Sequence, residues 1–290
     1  MKILLVGHSV EDHIIKDGVE VIQPGGLYYS AIGAASAKED EDEIFIHTAI
    51  KKNYKLFDDV YSAFNKKFVE DGANVPEVHL TIHPDKEREE RYSNLLAKLH
   101  FPHDYDEKFD GILVNMITGF EMEPVDLQKI RDRFNGLIYL DLHSLARGIN
   151  EKMERIFRPV PQKDEWLRCV DILQVNENEI LTLSGKKNII ETAKEIIAFG
   201  IKILLVTKGE YGVRAYYKNG DEIESIYISA EKIIVKNKIG CGDIFGAVFF
   251  YNYINEPNLM NALQMANRAA SIAVSYDKFT MFKNLKNDVY

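Results

Sequence analysis

Ile239-Gly240-Cys241-Gly242-Asp243-Ile244-Phe245-Gly246-Ala247-Val248-Phe249-Phe250 is the most telling stretch of this chain of 290 residues. Glycines just before an apolar, helix-compatible run let backbone N–H groups turn toward a bound anion. The dipole of the helix adds positive potential at the same place. An aspartate at the helix start is placed to take a proton from an attacking hydroxyl. Phosphoryl transfer needs an anion cradle and a general base close together. Read alone, the same four residues are equally an ordinary tight turn with an N-capping Asp, so the rest of the chain has to weight the reading.

On either side of this stretch, short apolar runs recur at Ile3–Val6, Ile44–Ala49, Ile112–Ile117, Leu137–Leu142, Ile172–Val175 and Ile203–Val206. Runs of this length without strict alternation suit strands covered on both faces. Between them lie helical patterns. Val125–Phe134 begins after Pro124, and Ile189–Phe199 ends at Gly200, a good helix stop. Strand–helix alternation predicts a three-layer α/β fold with a mainly parallel central sheet, spanning residues 1–290 as one domain. Two regions break the pattern. His13–Gln23 holds Lys16-Asp17-Gly18 between β-type runs, a hairpin signal. Glu77–His83 alternates through Val78, Leu80 and Ile82, as a half-exposed strand does. Together they predict a small β flap, or lid, near 13–23 and 77–83. Arg214–Ile228 reads as a further hairpin, and Asp85–Arg91 as a solvated helix start.

Composition narrows the function. With 45 acidic against 36 basic side chains and a formal charge of -9, the surface repels phosphate backbones, which argues against nucleic-acid binding. Cys169 and Cys241 are the only cysteines, too few for a disulfide framework. The N-terminal apolar run is too short for a signal-peptide core, and no stretch reaches bilayer length. A cytoplasmic protein acting on a small molecule, with no membrane partner, is the expectation.

Gly240-Cys241-Gly242-Asp243, with Phe245, Gly246 and Ala247, resembles the Gly-Ala-Gly-Asp motif of the ribokinase/PfkB family of carbohydrate kinases. Further pieces follow in family order. Asn176-Glu177-Asn178-Glu179 resembles the Asn-x-x-Glu motif. Val206-Thr207-Lys208-Gly209-Glu210-Tyr211-Gly212-Val213 resembles the segment lining the nucleotide. Asp12 with Gly25-Gly26 resembles the acceptor-binding elements, and Ala266-Asn267-Arg268-Ala269-Ala270 the helix closing the adenine pocket.

The resemblance implies an ATP- and Mg²⁺-dependent kinase acting on a hydroxyl of a small molecule, most readily a sugar or sugar derivative. Asp243 is then the catalytic base, and the amides of Gly240, Cys241 and Gly242 form the anion hole. Asp12, Gly25, Gly26 and Ser30 bind the acceptor. Asn176, Thr207, Gly209, Gly212 and Asn267 bind ATP, and Glu179 holds Mg²⁺ through water. Family members often dimerise through the lid; a lid this short leaves a homodimer open.

Departures matter too. Asn237-Lys238-Ile239 replaces the usual Asp-Thr-x, which argues against a monovalent-cation site and puts Lys238 near the phosphates. Cys241 replaces Ala, where only its backbone N–H is needed. Ser30 follows Tyr28 and Tyr29 where an Asn is common; stacking on either tyrosine would suit a nucleoside or pyrimidine acceptor. A non-catalytic ligand-binding or regulatory member of the fold is the other alternative. His79 and His83, with His100 and His103 nearby, lack a cysteine or a fixed carboxylate and read as solvated histidines. His8 and His13 flank Asp12 and are read either as acceptor-site or as structural histidines. His143, after Asp141, either faces the acceptor or caps the next helix.

Overall fold

A computed structural model describes the chain except residues 17, 83–88, 103, 104, 106 and 187. All six predicted apolar runs are strands of one nine-stranded sheet. Glu43–Lys51, Lys2–Val6, Gly111–Asn115, Leu137–Asp141, Ile172–Asn176 and Ile203–Thr207 lie side by side in that order, every neighbouring pair parallel. Asn65–Gly72 adds a parallel edge strand beside Glu43–Lys51. The hairpin Val213–Asn219 and Glu222–Ile228 extends the opposite edge antiparallel.

Why the central strands are apolar on both faces is plain from the packing. Ile3, Leu5, Ile44, Ile46, Leu113 and Leu205 face one buried cluster, whose other side is formed by the helices Leu27–Ala37, Cys241–Asn255 and Leu259–Ser275. The alternate residues Leu4, Val6, Phe45, Ile112, Val114 and Leu204 face a second cluster, covered by Pro124–Arg131, Lys163–Leu167 and Ile189–Ile197. Each strand residue therefore leaves water whichever way it points, at about 25 cal/mol per Å² of apolar surface. The result is the three-layer α/β architecture expected from sequence.

The lid is larger than expected. It is a four-stranded sheet in the order Val19–Gly26, Ser9–Lys16, Glu77–Thr81, Glu89–Ser93. Glu89–Ser93 corrects the sequence reading of a helix start; positions 85–88 of that reading, like Asp17 of the expected turn and His83 and His103, lie outside the described residues. The strand forms because Glu90 and Tyr92 alternate inward, 6% and 2% exposed, and pair with Leu80 and Val78 of the neighbouring strand. Among the described residues, no helix is long and apolar enough to cross a membrane.

Candidate active site

Gly240 has φ 75 and sits directly before the helix Cys241–Asn255. A left-handed turn of this kind strains any residue with a side chain. Space adds a second demand, since a Cβ here would lie 2.2 Å from the ring of Tyr29. The turn delivers Asp243 to the first turn of the helix.

Polar residues in the parallel strands and at their C-terminal ends brace this loop. Asn115 donates through Nδ2 to Asp243 Oδ1 at 2.7 Å and to Ser30 Oγ at 3.0 Å. Gln174 donates through Nε2 to the Gly242 carbonyl at 3.1 Å and to Asp141 Oδ2 at 2.7 Å, and Tyr139 donates its hydroxyl to Gln174 Oε1. Asp141 is held well above the usual carboxylate range, first by burial and then by the charges of Asp243 and Glu179. Burial likewise pushes Glu179 up to about 7. Asp141 thus feels two further carboxylates, an electrostatic arrangement that a divalent cation would relieve.

Two cavities meet at the loop. A small one, about 40 Å³, is lined by Asp12, Gly26, Tyr29, Glu90, Tyr92, His143, Gly240 and Asp243, with apolar walls from Val10, Val78, Leu80, Ile117 and Ile239. Asp12 reaches it because Gly25 has no side chain: a Cβ there would lie 2.3 Å from the Asp12 carboxyl. Tyr29 is fully buried beside Asp12 and Asp243; burial and these two carboxylates keep it a neutral phenol, and its oxygen accepts from Gln23 Nε2 at 2.6 Å. Tyr28 turns the other way, into the core against Phe57, Tyr61 and Phe279. Ser30 is fully buried and holds Asn115 instead of lining the cavity. His8 is also buried, against Thr118 Oγ1 at 2.8 Å. Glu90, with Arg147 at 3.3 Å behind it, and Tyr92 escaped the sequence reading.

The second cavity is a groove of about 680 Å³. Thr207, Gly209, Gly212 and Asn267 line it, as do Lys238, Cys241, Gly242 and Phe245. Asn267 is fixed by donating to the Ser229 carbonyl at 2.9 Å. Asn176 and Glu179 stand apart from these linings and cap each other. Glu179 accepts from the Asn176 N–H at 2.9 Å, and Asn176 Oδ1 accepts from the Glu179 N–H at 2.9 Å.

Comparison with known proteins bears on the fold and on the C-terminal half of the sequence. Residues 149–280 match the model of the pfkB family carbohydrate kinases. A ribokinase of Staphylococcus aureus (strain COL) is 31% identical over 128 residues, which is 41% of each chain. A cytidine kinase of Thermococcus kodakarensis is 30% identical over 89 residues, 31% of each chain. The chain thus spans less than half the length of these curated relatives. Over the full fold, a pyrophosphate-dependent kinase in the ribokinase family, complexed with a pyrophosphate analog and myo-inositol, superposes with a TM-score of 0.83 at 17% identity, covering 99% of this chain and 100% of that one. Arabidopsis thaliana ribokinase complexed with ribose and ATP superposes at 0.75, also at 17% identity, covering 99% and 98%. Residues 149–280 thus resemble the pfkB family carbohydrate kinases in sequence, and the chain over its whole length shares the fold of the solved ribokinase-family structures.

Proposed function

We propose that this chain is a kinase that transfers the γ-phosphoryl group of ATP to a hydroxyl of a small, uncharged, polyhydroxylated acceptor. One observation carries the reading: a single turn of chain serves both cavities. Gly240 and Asp243 line the small cavity, and Cys241 and Gly242 line the groove. A hydroxyl beside Asp243 and a phosphate on the loop amides would then meet at the helix N-terminus.

In this reaction Asp243 accepts the hydroxyl proton as the acceptor oxygen bonds to phosphorus. The bond from phosphorus to the β-bridging oxygen breaks, and ADP leaves. The amides of residues 240–243 stabilise the charge on the transferring group. Asn115 orients the Asp243 carboxylate. Asp12 and Glu90 supply carboxylates for acceptor hydroxyls, since hydrogen bonds to charged groups are worth about 1.5–3 kcal/mol. They also disfavour an acceptor that is already anionic. Asp141 and Glu179 would hold Mg²⁺, largely through water, and the ion would neutralise phosphate charge there. The groove walls Val213, Phe245, Ala270 and Val274 suit a nucleoside, which favours ATP as donor. The full-length likeness to a pyrophosphate-dependent kinase makes pyrophosphate the second donor to test.

The test is mass-spectrometric detection of phosphorylated acceptor. Purified chain with Mg²⁺ is offered ATP or pyrophosphate against sugars, cyclitols, nucleosides and hydroxymethylpyrimidine. A product with ATP and a sugar or cyclitol supports the reading. A nucleoside or pyrimidine product reassigns the acceptor class, and a product with pyrophosphate alone reassigns the donor. Binding of ATP by folded protein with no product from any acceptor favours the non-catalytic alternative.

A further inference from the structure

We propose that the outer face of the lid binds one divalent transition-metal ion of the zinc class, with His13, His79 and Glu20 as protein ligands. The strand register brings these residues together. His13 and His79 are direct neighbours on the parallel pair Ser9–Lys16 and Glu77–Thr81. On the other side, His13 opposes Ile22 and Glu20 opposes Ile15, so Glu20 is the diagonal neighbour of His13 on the same face. The imidazole rings stand with centroids 4.6 Å apart. One ligand atom from each of the three residues lies within 4.8 Å of the others. Tetrahedral Zn²⁺ with bonds near 2.1 Å sets its ligands about 3.4 Å apart, so side-chain adjustments of about 1 Å complete the set.

The chemistry of the individual atoms favours this trio. His13 Nδ1 lies 2.9 Å from Glu20 Oε1, while His13 Nε2 is buried and has no hydrogen-bond partner. His79 Nε2 lies 3.0 Å from Ser93 Oγ and 3.4 Å from Glu77 Oε2. A ligating histidine commonly has such a partner on its second nitrogen. A second combination, Glu11, His13 and Glu77, shares His13, but its carboxylates are already engaged. Glu11 accepts from the Tyr54 hydroxyl, and Glu77 from Ser93 at 2.6 Å and Asn94 at 2.8 Å. Two imidazoles with one carboxylate suit Zn²⁺, Co²⁺ or Ni²⁺ and suit Mg²⁺ poorly. The sequence reading of His79 as a solvated histidine overlooked His13, whose closeness to it arises only on folding. The ion would tie three lid strands together behind Asp12, which faces the small cavity one residue away from His13.

The experiment uses the untagged full chain. Equilibrium dialysis against ZnCl₂ is expected to show one Zn²⁺ bound per chain, and His79→Gln or His13→Gln to weaken it roughly 100-fold. No zinc bound by folded protein, or binding unchanged in the double variant, overturns the proposal. Should the variants misfold, Co²⁺ added to the wild-type chain decides. Intense d–d bands of a four-coordinate ion, without thiolate charge transfer, support the site. The weak spectrum of six-coordinate Co²⁺, or a thiolate band from Cys241, refutes it.

Discussion

Replacing Asp243 by Asn keeps the size of the side chain and removes both its basicity and its charge. The structure predicts opposite effects on chemistry and stability. Asn115 Nδ2, now 2.7 Å from Asp243 Oδ1, donates equally well to an amide oxygen, so the loop keeps its brace. Loss of a positioned base is worth about 10²–10⁴ in rate, or about 2.7–5.4 kcal/mol of barrier. Stability moves the other way, because Asp243 is the main charged neighbour holding the buried Asp141 carboxyl up. Removing that charge relieves the repulsion that Asp141 feels. Turnover by acceptor-phosphate formation, with urea unfolding at pH 8, measures both quantities. The expected result is a kcat at least about 100-fold lower, with an unfolding midpoint equal to or above wild type. Near wild-type turnover refutes the base. A midpoint that falls together with activity refutes the electrostatic argument and returns Asp243 to the role of a helix cap.

Gly240→Ala combines a left-handed φ with overlap against Tyr29 and should cost about 2–5 kcal/mol in urea unfolding. Gly242→Ala, whose nearest neighbour would be Gln174 Nε2 at 3.9 Å, should be within about 1 kcal/mol of wild type; equal costs would contradict the geometry. Gly25→Ala displaces the Asp12 carboxyl and should raise the acceptor KM at least about tenfold while leaving the donor KM unchanged. A shift in donor KM alone would remove Asp12 from the acceptor site. Glu179 has its pKa raised from 4.5 to about 7, so between these values the folded chain holds a proton that the unfolded chain has lost. Stability therefore declines as pH rises across that window. Glu179→Gln should remove up to about 3 kcal/mol of this decline, gaining over wild type at pH 8 and not at pH 4. Parallel stability–pH curves for the two proteins would refute it.

How much of this was legible in sequence depended on whether neighbours along the chain were also neighbours in space. The parallel strands were readable because each is apolar on both faces. The loop was readable because Gly240, Cys241, Gly242 and Asp243 are contiguous. Asn65–Gly72 was missed because an edge strand carrying Lys66, Lys67 and Glu70 resembles a loop. Glu89–Ser93 was missed because one of its two inward residues is Glu90, a charge that is buried only where Arg147 and Arg155 stand behind it. Those arginines lie more than fifty positions away. Asn115, Tyr139 and Gln174 gave no signal at all: a polar residue in or ending a strand is ordinary until three strands bring such residues to one loop. Tyr28 and Tyr29 were ambiguous because only the rotation of their helix decides which buried ring also borders the cavity. Ser30, expected against the acceptor, lies one layer deeper for the same reason.

The cavity beneath the lid measures about 40 Å³, room for about one water molecule. For the proposed acceptor to enter, the lid strands would have to lift, and Asp12 and Glu90 would lift with them. On that reading, recognition would be dismantled whenever the door opens and rebuilt only around a guest large enough to hold it shut. Under the proposed function, discrimination against hydrolysis would rest on the occupant's size as well as on its hydroxyls, and lid exchange would be a natural limit on turnover.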